Sequence, residues 1–214
     1  MNSHFPGYAA ACLMMCAARM FGQEISDSNG ADARKEWEFV AAAYAYVLPD
    51  ERDYIVPLLT ADHGTLHLEG RYNYEAIRTA SFFVGWNFST GEELHVAATP
   101  MIGVLAGDLA GIAPGYHFTL GYHRVSLYSE GEYAIATEKS SENFFYTWSE
   151  LSYDITGWMH GGIVIQRTRV YETGLDLQRG LLVGFSEQRI EGTAYMLNAG
   201  WTTPTWVFSL AYTL

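Results

Sequence analysis

From Trp37 onward, hydrophobic and polar positions alternate with a period of two, which predicts strands with two unlike faces. Between Leu66 and Glu75, one face carries Leu66, Leu68, Gly70, Tyr72 and Tyr74, and the other His67, Glu69, Arg71, Asn73 and Glu75. The next segment sets Ala80, Phe82, Val84, Trp86 and Phe88 against Ser81, Phe83, Gly85, Asn87 and Ser89. Cutting at turn residues gives strands near 37–47, 54–60, 65–75, 78–88, 93–104, 115–122, 124–136, 144–155, 158–171, 178–187, 191–198 and 205–214. The connections fall into two classes. Ala61–Gly64, Ser89–Glu92, His123, Thr156–Gly157 and Gln188–Ile190 are tight, whereas Leu105–Pro114, Thr137–Asn143 and Glu172–Leu177 are long. Short turns at one end and long loops at the other are the pattern of a transmembrane barrel. The predicted fold is all-β: a closed antiparallel barrel of about twelve strands over 36–214, with ten or eight as alternative counts.

Which face looks outward follows from three observations. A lumen enclosed by about twelve strands is too wide to fill as a dry core, so the apolar face needs another partner. The polar face mixes His, Asn, Ser, Thr and Gly with few charges, unlike the Lys/Glu-rich surface of a soluble protein. Aromatic residues gather towards segment ends (Trp37, Tyr54, Tyr72, Tyr74, Trp86, Phe88, Tyr116, Tyr122, Trp158, Trp206), as interfacial girdles require. The apolar face is therefore expected to meet lipid.

Composition agrees. Only 17% of the 214 residues are charged, against about 25% in average soluble domains. A net charge of −12 makes nucleic acid an unsuitable partner, because phosphate recognition needs a basic stripe. The longest apolar run, Tyr8–Ala18, is too short for a membrane-spanning helix and has the size of a signal-peptide core. Residues 1–22 are read as a signal peptide and 23–35 as a polar N-terminal segment. Both cysteines, Cys12 and Cys16, lie inside that signal, so the exported chain is thiol-free, as suits an oxidising compartment.

The last strand carries the most specific motif. Trp206, Phe208, Leu210, Tyr212 and Leu214 alternate with Val207, Ser209, Ala211 and Thr213 to the final residue. This resembles the β-signal of bacterial outer-membrane β-barrel proteins, the porin-like superfamily, with Leu214 where the family usually ends in Phe or Trp. The resemblance implies a Gram-negative outer-membrane location, a lipid-facing wall and recognition by the barrel-assembly machinery during biogenesis.

On the polar face the charges cluster. Glu69, Arg71 and Glu75 share one strand, Glu130 and Glu132 another, and Glu150 and Asp154 the next. Arg167 and Arg169 share a face with Ile163 and Ile165, yet an arginine facing lipid at the midplane costs roughly 2–4 kcal/mol, so both are expected to point inward. With residues across the Thr137–Asn143 loop summing to about 280, Glu130 meets Glu150, and the two arginines neutralise the acids. The expected lumen network is Glu69, Arg71, Glu130, Glu132, Glu150, Arg167 and Arg169.

Catalysis finds little support. There is no His-Glu-x-x-His and no phosphate-binding glycine loop, and His63 and His67 lie roughly 13 Å apart along a strand, too far to share a metal. Twelve-stranded outer-membrane lipid hydrolases place a Ser and a His on the lipid-facing wall. Here Ser129 and Ser149 are candidates for that wall, but His160, placed outward near a tight turn, stands at the wrong end. No cofactor and no metal are expected. Two readings remain: a narrow passive channel for small polar solutes or ions, and a closed structural or adhesive barrel acting through its loops.

Overall fold

The computed structural model describes residues 36–49, 52–137, 143–170 and 176–214, the side chains of residues 169, 170 and 176 excepted. The signal peptide expected at 1–22 and the polar segment 23–35 lie outside the described residues. Thirteen strands form one antiparallel sheet: β1 (Glu38–Val47), β2 (Tyr54–His63), β3 (Leu66–Tyr72), β4 (Thr79–Trp86), β5 (Phe88–Thr90), β6 (Leu94–Gly107), β7 (Gly111–Tyr122), β8 (Val125–Ala136), β9 (Phe144–Asp154), β10 (Met159–Val170), β11 (Asp176–Glu187), β12 (Ile190–Leu197) and β13 (Thr205–Thr213). β4 and β5 both pair with β6 in one continuous register and are separated only by Asn87. They are two parts of one barrel strand, so the wall has twelve. The sheet closes where β1 meets β13, from Val40 opposite Thr213 to Val47 opposite Trp206. Closure leaves no edge whose N–H and C=O groups lipid would strand.

Each strand follows its neighbour, and the connections sort by end. Gly64–Thr65, His123–Arg124 and Gln188–Arg189 are two-residue turns at one end, each with its first residue at positive φ (61°, 52° and 52°). We call this the turn end and the opposite one the loop end. Several boundaries differ from the sequence expectation. β2 runs on to His63, and β7 begins at Gly111, so the long loop expected at Leu105–Pro114 reduces to Asp108–Ala110. Pro114 lies within β7. Its missing N–H interrupts the β7–β8 ladder between Ile112–Ile135 and Gly115–Glu132, but the strand continues past it.

The alternation resolves as expected on the outer wall. Leu59, Phe82, Ile102, Val104, Leu181, Val183 and Leu210 are exposed around the waist, and Trp86, Tyr122, Tyr153, Trp158 and Tyr212 form an aromatic belt near the turn end. Two aromatics expected in the girdles do not belong there. Tyr74 is buried inside the barrel, and Tyr54 stacks on Tyr46 with ring centroids 4.8 Å apart.

The interior divides into halves. Towards the turn end it is polar, lined by Thr60, Asp62, Thr119, Ser152, Thr193 and Ser209. Towards the loop end it is apolar and filled. Tyr44, Tyr146, Trp148, Tyr195 and Leu197 are fully buried there, although all five point inward from the wall. Contacts cross the lumen: Trp148 of β9 meets Tyr195 of β12 at 5.2 Å between centroids, and Tyr74 meets Tyr146 at 6.1 Å. The premise that a wide lumen has no dry core is therefore corrected for this half. Aromatic side chains are long enough to meet across it.

Candidate functional site

Midway along the lumen, where the polar half meets the aromatic half, lies a belt of charge. β3 supplies His67, Glu69 and Arg71 on its inward face, β7 supplies His117, and β8 supplies Glu130 and Glu132. All of these but His117 are almost completely buried, and the His117 side chain keeps 11% of its exposure.

Arg71 is the hub. Its Nε donates to Glu69 Oε1, and its Nη1 donates to Glu132 Oε2 at 3.0 Å and lies 3.6 Å from Glu75 Oε1. The guanidinium is sandwiched between the rings of Tyr74 and Phe83, 4.0 and 4.2 Å from their centroids. Five fixed donors suit arginine to bridging several carboxylates at once. Gly103 makes room for one wall of the sandwich: a Cβ there would lie 2.5 Å from the Phe83 ring. Because β3 and β8 are separated in the wall by β4, β6 and β7, the Arg71–Glu132 pair is a strut across the lumen.

The segment between β3 and β4 completes the belt from inside. Asn73 adopts a left-handed φ of 59°, a conformation asparagine tolerates, and its Oδ1 accepts the Arg78 N–H at 2.8 Å. Its own N–H donates to the Thr79 carbonyl at 2.9 Å. The fold-back carries Tyr74 and Glu75 into the barrel. Tyr74 donates to Glu130 Oε1 at 3.1 Å, and Ser81 donates to Glu75 Oε1 at 2.6 Å. Sequence reasoning ran this strand on to Glu75 and missed the inward loop. The available signal was Asn73 itself, a residue at ease where the chain leaves a strand.

On the turn side of Arg71 lies a histidine pair. His67 Nδ1 lies 2.9 Å from Asp62 Oδ1, and its Nε2 lies 3.1 Å from Glu69 Oε2. His117 Nε2 lies 3.6 Å from both Glu69 Oε2 and Glu130 Oε2, with no hydrogen-bond partner of its own. Fifty residues separate the two histidines in sequence, and no spacing along one strand reveals them.

Of the network expected from sequence, Glu69, Arg71, Glu130 and Glu132 are brought together. Glu150 is not part of that cluster. It accepts from Trp148 Nε1 at 2.7 Å and pairs in register with Tyr128, while Glu130 sits opposite Trp148. The register sum expected across this hairpin was thus two residues too high. Arg167 is a correction: it is exposed on the outer wall beside Ile165, and the inward side chains of β10 are His160, Val164, Gln166 and Thr168. Arg167 stands near the loop end of its strand. There a long side chain reaches the headgroup zone, so the midplane cost does not apply. Arg169 pairs in backbone register with Phe145, and its side chain lies outside the described residues. The acids are met by Arg71, not by β10.

His160 is also corrected, from outward to buried and inward. Ser129 and Ser149 do face outward, 3.0 Å apart, with the Tyr116 hydroxyl 3.3 Å from Ser129. Among the described residues no histidine joins that pair, so the lipid-hydrolase arrangement is not assembled. Trp206, Phe208, Leu210, Tyr212 and Leu214 all lie exposed on the outer wall, the last with its N–H on the Phe39 carbonyl at 2.9 Å.

A closed antiparallel wall of twelve strands with an apolar outer face is the fold of a transmembrane β-barrel. By sequence, neither a family model nor a curated protein matches the chain. By structure, it is similar to the KdgM porin (TM-score 0.59, 8% identity, 82% of this chain and 99% of that one covered). It is likewise similar to the KdgM porin in complex with disordered oligogalacturonate (TM-score 0.57, 7% identity, 83% and 99% covered). The Acinetobacter baumannii outer membrane protein Omp33 aligns with a TM-score of 0.50 at 12% identity, covering 84% of this chain and 99% of that one.

Proposed function

We propose that this protein is a narrow passive channel of the bacterial outer membrane for small polar solutes or ions, and that the charged belt selects what passes. The observation that carries this reading is the inward-folded Tyr74–Glu75 segment. It narrows a porin-type barrel at the level where Glu69, Glu75, Glu130 and Glu132 outnumber the single guanidinium of Arg71. An acidic constriction favours cations and small neutral polar solutes over anions. The polar lining leads from the turn end to this belt. The aromatic half beyond it has to part for a solute to pass, so the channel rests closed and opens to a small bore. The outer wall meets outer-membrane lipid, and the terminal strand serves as the segment read by the barrel-assembly machinery.

The aromatic plug favours a second reading, a closed structural or adhesive barrel that acts through its loops. Solute flux into vesicles separates the two. Purified protein is reconstituted and flux measured for neutral, cationic and anionic solutes of graded size. The channel reading expects entry of small neutral and cationic solutes, excluding anions of equal size. No entry of any solute, together with entry once Trp148 and Tyr195 are truncated to Ala, would establish the closed barrel instead.

A further inference from the structure

The belt crowds five carboxyl groups around one guanidinium and two imidazoles. Asp62, Glu69, Glu75, Glu130 and Glu132 are all buried, and Arg71 is the one buried arginine or lysine among the described residues. Asp62 Oδ2, Glu75 Oε2 and Glu132 Oε1 are buried without a hydrogen-bond partner, as is His117 Nε2. Buried carboxylates are satisfied by a cation, a proton or a metal ion, and here the geometry offers a place for the last.

We propose that the lumen binds one divalent transition-metal ion of the zinc class through His67 Nε2, Glu69 Oε2 and His117 Nε2, with water as the fourth donor. The first three atoms lie within 4.8 Å of one another. A tetrahedral ion with donors at about 2.0–2.1 Å holds them about 3.3–3.4 Å apart. The present separations, 3.1 Å from His67 to Glu69 and 3.6 Å from His117 to Glu69, bracket that spacing. Two imidazoles with one carboxylate suit zinc and its neighbours, and not calcium or magnesium, which take oxygen donors.

The surroundings are those of a supported metal site. Asp62 Oδ1, 2.9 Å from His67 Nδ1, fixes the tautomer that turns the Nε2 lone pair to the ion. Asn87 Nδ2 donates to the same Asp62 oxygen. Arg71 holds Glu69 by Oε1 and leaves Oε2 to the site, while Glu130, held by Tyr74 at Oε1 and by Tyr128 at Oε2, stands beside it as a neighbouring acid. His117 is the least buried of the donors, which makes its side the entry. The ion would tie β3 to β7 across the lumen, beside the Arg71 strut.

The test uses the whole barrel purified in detergent and stripped with chelator, with zinc chloride titrated by calorimetry and cobalt chloride followed by absorption. The expected result is one zinc per chain and a tetrahedral cobalt spectrum. His117→Ala should abolish that spectrum. Asp62→Asn should weaken affinity about 10–100-fold while keeping the spectrum, and His123→Ala, at an exposed turn, should change neither. The heat-dependent gel shift verifies folding, and His117→Gln replaces His117→Ala if the latter fails it. Absence of a tetrahedral cobalt spectrum in the wild type, or unchanged binding in the His117 variant, would overturn the proposal. Calorimetry needs no current, so a negative result leaves the channel reading intact.

Discussion

Replacing Arg71 with methionine removes the cation while keeping most of the side-chain volume between Tyr74 and Phe83. Glu69, Glu75 and Glu132 then lose the guanidinium that all three face. Breaking a buried pair by deleting one partner costs about 3–5 kcal/mol, because the survivors stay desolvated. The lost stack on the two rings places the expected loss at the upper end. Were the lumen wet at this level, the same change would cost about 0–1 kcal/mol, as for an exposed pair. Arg71→Met is therefore also a measure of dryness. The assay is denaturant unfolding of the refolded barrel in micelles, followed by tryptophan fluorescence and extrapolated linearly to zero denaturant. Adding Glu132→Gln should recover part of the loss, since one orphaned charge goes with it. Arg71→Lys should recover little, because a point charge cannot serve carboxylates on two strands at once. A loss under about 1 kcal/mol for Arg71→Met would refute a desolvated strut.

Arg167→Ala should leave conductance and ion selectivity unchanged in bilayer recordings, because the side chain lies on the outer wall; a shift in either would place it in the lumen. Trp148→Ala with Tyr195→Ala should raise conductance and lower stability by several kcal/mol, in the range of about 3–5 for each large aromatic, and paired unfolding and conductance measurements check both effects. Tyr212→Ala, or deletion of Leu214, should reduce the amount of barrel in cellular outer membranes more than it alters refolding in vitro; equal losses would make these residues structural only.

The wall was legible in the sequence because its outer face is apolar while much of its inner face is polar, so a period of two survives in nearly every strand. Boundaries were less legible where glycine and proline sit inside strands. Gly111–Pro114 reads as a loop, yet it pairs on both sides, and Pro114 only interrupts one ladder. Parity failed at Arg167 for an energetic reason: the cost assigned to a lipid-facing arginine belongs to the midplane, and this one sits near the rim. Half of the charged belt was found because Glu69, Arg71, Glu130 and Glu132 occupy the polar face of clear strands. The rest was hidden. Which strands face each other across a lumen depends on closure, so neither the Arg71–Glu132 strut nor the meeting of His67 with His117 is written in any local pattern. The aromatic plug was hidden too, since Tyr44, Tyr146, Trp148 and Tyr195 look locally like membrane-facing residues until the register assigns them inward.

On the proposed function, the barrel conducts small cations through an acidic constriction. Single-channel recording of the refolded wild-type protein in planar bilayers, with a potassium chloride gradient across the membrane, tests it most directly. The expected result is discrete openings of small amplitude whose reversal potential has the sign of potassium selectivity. Silence at every applied voltage, or a reversal potential of the sign for chloride, would contradict it.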